Sequence, residues 1–134
     1  MSNFRTEVSK KNEYYIDRNR YLELKYFCLQ YPLFLKMKNS LILMNTSSII
    51  QIGKNRADNT KRYLNQLEYY NKRLDLIDKC LIEACGEYSS YLFLGVTEGF
   101  SYDILCVKTD MLLSRNAYYK YYRKFFYILN KERK

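Results

Sequence analysis

Ser114, Arg115, Asn116, Tyr119, Lys120, Arg123 and Lys124 fall within one short stretch late in the 134-residue sequence. Their types suit contact with a polyanion. An arginine fork can donate to guanine O6 and N7, and an asparagine can pair with adenine N6 and N7, each good pair giving about 1–3 kcal/mol of discrimination. Lys120, Arg123 and Lys124 would hold phosphates without reading sequence, and Tyr119 could touch a phosphate or a thymine methyl. No acidic residue lies between Met111 and Lys131. A competing explanation makes Tyr118 to Phe126 a core aromatic stripe with a solvated basic back. It accounts for the rings but not for the single sign of charge. The stretch is therefore expected to bind nucleic acid, with double-stranded DNA as the partner and those seven residues as the contacts.

For these side chains to act together they must share a helix. Ser114 has the chemistry of an N-cap, and Tyr118, Tyr121 or Tyr122, Phe125 and Leu129 recur at the spacing of one buried face. Arg115, Asn116, Tyr119, Lys120 and Arg123 are then expected to point outward. Upstream, Gly99 to Leu105 reads as a tight turn feeding a short helix capped by Ser101, with Ile104 and Leu105 turned inward. Before it, Tyr91, Leu92, Leu94 and Val96 predict another short helix ending near Gly99. Residues 87–134 are thus expected to form a helix-turn-helix module whose last helix is the recognition helix, with a longer link than compact examples between Cys106 and Ser114.

The rest of the chain reads as its helical body, making the fold all-α. Residues 1–57 form an N-terminal helical region. Asp17 to Gln30 predicts a helix with Tyr21, Leu24, Phe27 or Cys28 and Tyr31 on one face. It ends before Pro32, which suits the first turn of the next, Leu33 to Leu43. Asn45-Thr46-Ser47-Ser48 breaks that pattern, Ile49 to Ile52 reads as a short extended piece, and Gly53 to Thr60 as a solvated linker. Residues 58–86 predict one long central helix, capped at Asp58, Asn59 or Thr60 and stopped at Gly86. Its Tyr63, Leu67, Tyr70, Leu74, Ile77, Leu81 and Ala84 alternate by four and three. That spacing serves either a packing stripe or a homodimer seam, with Arg73 and Asp78 flanking it.

Composition limits the function further. A net charge of +9 and 48% hydrophobic content fit a folded domain with an acidic partner. There is no histidine for general acid–base work, no glycine-rich phosphate loop and no nucleophile–base set, so the chain is not expected to be an enzyme. Glu83, Glu87, Glu98, Asp103 and Asp110 are spaced as surface charges. Cys28, Cys80, Cys85 and Cys106 lack metal-ligand spacing, so no metal or cofactor is expected, and free buried thiols fit a reducing bacterial cytoplasm. Leu41 to Met44 is too short to span a bilayer, and no membrane partner is expected.

Residues Gly99 to Arg133, with Leu112-Leu113-Ser114-Arg115-Asn116-Ala117-Tyr118-Tyr119-Lys120-Tyr121-Tyr122-Arg123-Lys124-Phe125-Phe126 at their centre, resemble the C-terminal segment of small phage regulators of the RinA and ArpU type. The resemblance covers about a quarter of the chain. It implies a sigma-factor-like helix-turn-helix, a phage or prophage origin, and control of transcription beside RNA polymerase. An alternative from another class is a phage host-takeover protein of anti-CRISPR type, whose basic helix grips a host protein–nucleic-acid complex.

Overall fold

The computed structural model describes residues 12–48 and 56–133, and every regular element among them is helical. Helix α1 is Arg18–Leu29, α2 Tyr31–Ser48, α3 Arg56–Cys85, α4 Ser89–Glu98, α5 Tyr102–Lys108 and α6 Arg115–Glu132. A 3₁₀ turn, Gly86–Tyr88, joins α3 to α4. The contacts divide the described chain into two compact units. One combines the residues before Tyr31 with those from Leu76 onward; the other is Tyr31–Asp75. The chain thus parts at Gln30/Tyr31 and inside α3.

Local chemistry explains most helix ends. Asp17 caps α1 by accepting the Asn19 N–H at 3.1 Å, and Gln30 closes it by donating to Phe27. Pro32 then sits in the first turn of α2, where its missing N–H costs nothing. Gly86 (φ +50°) and Gly99 (φ +74°) terminate α3 and α4 in the left-handed region, which glycine enters without a Cβ penalty. Ser101 caps α5 by accepting from Ile104 N–H, and Ser114 caps α6 by accepting from Ala117 N–H.

Two expectations are overturned by the course of the helices. Asn45 to Ser48 do not break α2, which runs on through them; each costs well under about 1 kcal/mol relative to alanine, too little to stop a formed helix. Asp58, Asn59 and Thr60 do not cap α3 but lie inside its first turns, since the helix starts at Arg56. The anticipated extended piece at Ile49–Ile52 and the start of the linker at Gly53 lie outside the described residues. On the four-and-three stripe of α3, Leu74, Ile77 and Leu81 are buried within the chain, as the packing-stripe alternative requires, whereas Tyr63, Leu67 and Tyr70 are half-exposed.

In the larger unit α1 packs on α6 and α4, and α4 also meets α5 and α6. Its buried side chains include Leu24 and Phe27 of α1, Ile77 and Leu81 of α3, Leu92 and Val96 of α4, and Phe125, Phe126 and Leu129 of α6. In the other unit Phe34 of α2 packs against Tyr70 of α3, with ring centroids 6.3 Å apart. Among the described residues, no helix is long and apolar enough to cross a membrane.

Candidate nucleic-acid interface

Helix α6 is fixed along its length before its outer face is considered. Near its C-terminal end Arg20 of α1 donates through Nε to Asn130 Oδ1 at 2.8 Å and also bonds the Arg133 carbonyl. Lys79 of α3 pairs with Glu132 at 3.0 Å, which neutralises the one acidic residue of the helix. In the middle, the Tyr21 and Tyr122 hydroxyls share a 2.7 Å hydrogen bond, and Tyr21 meets Phe126 edge-on. At the N-terminal end the Thr109–Ser114 link is pinned twice. Tyr91 donates its hydroxyl to the Asp110 carbonyl at 2.8 Å, and Tyr102 donates to the Leu113 carbonyl at 2.6 Å. A link longer than that of a compact helix-turn-helix is thereby held in one conformation.

The inward face is Tyr118, Phe125, Phe126 and Leu129, all essentially inaccessible, with Tyr122 beside them. Phe126 was not expected there. It is covered because α1 lies along α6 and widens the buried arc beyond a single stripe. Burial raises the Tyr118 and Tyr122 hydroxyls above the ordinary tyrosine value, so both rings stay neutral.

Of the expected contact residues, Asn116 and Lys120 are exposed, and Arg123 and Lys124 are half-exposed. Together with Tyr127 and the exposed Lys131 they follow an i, i+4, i+7 or i+8, i+11, i+15 progression, which is one face of a helix. Desolvation lowers the Arg123 pKa from its ordinary value, which leaves it cationic near neutrality. Toward the far end Lys131 lies over the Tyr127 ring at 4.3 Å, and the Tyr14 ring also packs on Tyr127, with centroids 5.6 Å apart.

Three expected contacts have other roles in the fold. The Ser114 hydroxyl is engaged as the α6 cap. Tyr119 does not point outward: its ring packs on Tyr102, Tyr118 and Tyr122, and its hydroxyl accepts the Tyr102 N–H at 3.4 Å. Tyrosine at that position satisfies the start of α5, which a sequence pattern of α6 alone cannot reveal. Arg115 lies apart from the Lys120 face and turns to α5, where Nη2 meets Asp103 Oδ1 at 2.5 Å and the guanidinium sits 5.0 Å from the Tyr102 ring centroid. Asp103 is a surface charge, as its spacing predicts, but a paired one. Its pairing partner is twelve residues away across a link, a separation with no periodic signature. Ile104, expected inward, is 43% exposed, since the seven-residue α5 presents only Leu105 to the core.

Cys28, Cys80 and Cys85 are buried and free, and Cys106 is exposed. Burial pushes the Cys80 and Cys85 thiols up to about 11, which keeps them protonated and unreactive. Among the described residues no cluster of cysteine or carboxylate side chains could hold a metal ion. No family model, curated protein or solved structure matches this chain.

Proposed function

We propose that the chain is a DNA-binding transcriptional regulator of phage or prophage origin, in which α5, the pinned link and α6 act as a helix-turn-helix with α6 as the recognition helix. The observation that carries this reading is the one-sign outer face of α6. Lys120 with Arg123 and Lys120 with Lys124 are like-charge neighbours at i, i+3 and i, i+4, each arrangement costing an isolated helix about 0.2–0.5 kcal/mol. The single carboxylate of α6 is engaged with Lys79, outside that face. A phosphate backbone turns the same repulsion into binding energy by releasing its condensed counterions. Asn116, on the exposed first turn, has the donor–acceptor pair that suits adenine.

The test is retention of random-sequence duplex DNA by the purified full chain at about 150 mM salt, followed by sequencing of the retained fraction. A regulator enriches a motif. Lys120→Ala is expected to weaken binding to all sequences alike and to reduce the salt slope by about 1. No retention of duplex DNA, or a salt slope unchanged in Lys120→Ala and Lys124→Ala, overturns the assignment of α6. A host-takeover role is the second reading, favoured by the apolar residues that α2 leaves exposed, Leu33, Leu43 and Met44 among them. It predicts capture of a protein–nucleic-acid complex without affinity for duplex alone.

A further inference from the structure

Arg115 sits at the first position of α6, where a cation faces the positive end of the helix dipole and is poorly placed on its own. Asp103 of α5 compensates by accepting from Nη2, and Tyr102 lies beneath the guanidinium. Tyr102 is itself immobilised. Its hydroxyl donates to the Leu113 carbonyl and its backbone N–H to the Tyr119 hydroxyl, so it spans the link that leads into α6. The pair is nevertheless on the surface, with Asp103 75% and Arg115 56% exposed. Exposed pairs contribute little to stability. What the arrangement does supply is a fixed orientation. One guanidinium nitrogen, Nη2, is engaged by Asp103 Oδ1, both side chains are largely open to solvent, and Asp103 Oδ2 has no hydrogen-bond donor among the described residues.

A donor fork beside a carboxylate oxygen is the complement of a G·C pair in the major groove, where guanine shows two acceptors, N7 and O6, and cytosine shows the N4 amino donor. We infer that Asp103 and Arg115 act as one unit that reads a single G·C base pair. Arg115 donates to guanine while Asp103 holds the fork and accepts from cytosine N4. The inference rests on the DNA-binding reading of α6 and adds a specificity pair to it. The carboxylate also has a negative consequence. It repels a phosphate, so Arg115 is biased away from non-specific backbone contact and toward a base edge. Lys120 and Lys124, with no carboxylate paired to them among the described residues, keep the backbone role.

The experiment compares wild type with Asp103→Asn and Arg115→Ala on a pool of random 20-base-pair duplexes, with the retained DNA sequenced and affinities measured for the enriched duplex and for the unselected pool. Asparagine at 103 still accepts from Arg115 through its carbonyl, but its amide cannot accept from cytosine N4. The expected result is an enriched wild-type motif with an obligatory G·C pair. Asp103→Asn loses preference for that pair over A·T by roughly 5- to 150-fold. Its affinity for the unselected pool is equal or higher, since one negative charge is gone. Arg115→Ala loses the preference as well. Asp103→Glu, which keeps an acceptor, restores part of it. A motif whose G·C content is unchanged in Asp103→Asn overturns the inference and leaves the DNA-binding reading intact. Retention without any motif does the same. Absence of duplex binding by the wild type overturns both.

Discussion

Along α3 one apolar spacing meets two different environments. Tyr63, Leu67 and Tyr70 are half-exposed, whereas Leu74, Ile77, Leu81 and Ala84 are buried. The four-and-three alternation is the same throughout, but two of the three half-exposed positions carry tyrosine, whose hydroxyl favours water, and the neighbours differ as well. Ile77, Leu81 and Ala84 belong to a unit that also holds α1, α4, α5 and α6. Tyr63, Leu67 and Tyr70 share their unit with α2 alone, and two helices cannot enclose a core. Phe34 and Leu74 are the buried hydrophobic side chains of that unit among the described residues, while Leu33, Leu43, Met44 and Leu64 face outward. A helical repeat therefore specifies which face is apolar, and the supply of packing partners decides whether that face leaves water.

The contrast can be broken most directly by matched truncations in the one helix. Ile77→Ala, at a site with no exposure, is expected to cost about 2–5 kcal/mol of unfolding free energy, through lost transfer energy and a residual cavity. Leu67→Ala, half-exposed, is expected to cost about 1 kcal/mol, because water already reaches part of its surface. Urea unfolding with a shared m-value measures both. Equal losses would erase the distinction and would mean that Leu67 is covered in solution by a second molecule.

Alkaline titration sharpens the same contrast, because Cys80 and Cys85 both lie in the buried half of α3. Burial raises each thiol from the ordinary 9.0 to about 11, and Glu132 and Glu83 add to the effect at Cys80. The folded state thus holds these protons to higher pH than the unfolded chain does. Their contribution is complete below pH 9 and is lost as pH rises through about 11. Each thiol contributes on the order of 2–3 kcal/mol at the limit, and the buried Tyr118 and Tyr122 shift in the same direction. Melting followed by circular dichroism under reducing conditions should show a falling midpoint from pH 9 to 11. Cys85→Ala should flatten part of that fall, and an unchanged slope in this variant would remove Cys85 from the account.

What the sequence made legible follows from the range of the interactions involved. Caps at Ser101 and Ser114, and the glycine stops at Gly86 and Gly99, are encoded within a few residues and are readable, whereas Asp17, read as the first residue of α1, is its cap. The buried stripe of α6 at Tyr118, Phe125 and Leu129 is readable too. The misreadings on α6 share a different cause. Phe126 is buried by α1, Tyr119 is turned aside by the start of α5, and Arg115 is held by Asp103 across the link. Each depends on another helix, α1 far upstream or α5 across the link, and no period within α6 encodes it. The same holds for the division of α3 between two units, which its uniform spacing hides.

The close approach of α4 to Tyr118 gives the most specific of these effects. Gly95, in the interior of α4, lies so close to Tyr118 that a Cβ there would stand 2.0 Å from the tyrosine hydroxyl, while the next atoms, Tyr118 Cζ and Leu105 Cδ1, are at 3.4 and 3.6 Å. The hydroxyl is also buried without a hydrogen-bond partner among the described residues. One oxygen is thus both the obstacle to a larger residue at 95 and an unsatisfied polar atom. Gly95→Ala alone should cost about 1–3 kcal/mol by overpacking. Tyr118→Phe alone should be neutral or stabilising by about 1 kcal/mol, since it removes a buried polar atom that nothing satisfies. Combined, the two should be at least as stable as wild type, because the added Cβ then meets ordinary contacts and alanine gains about 1 kcal/mol over glycine within a helix. A double-mutant cycle measures the coupling. If Gly95→Ala costs the same in both backgrounds, the hydroxyl is not what reserves the space at 95, and the close approach of α4 to α6 must be set by backbone packing instead.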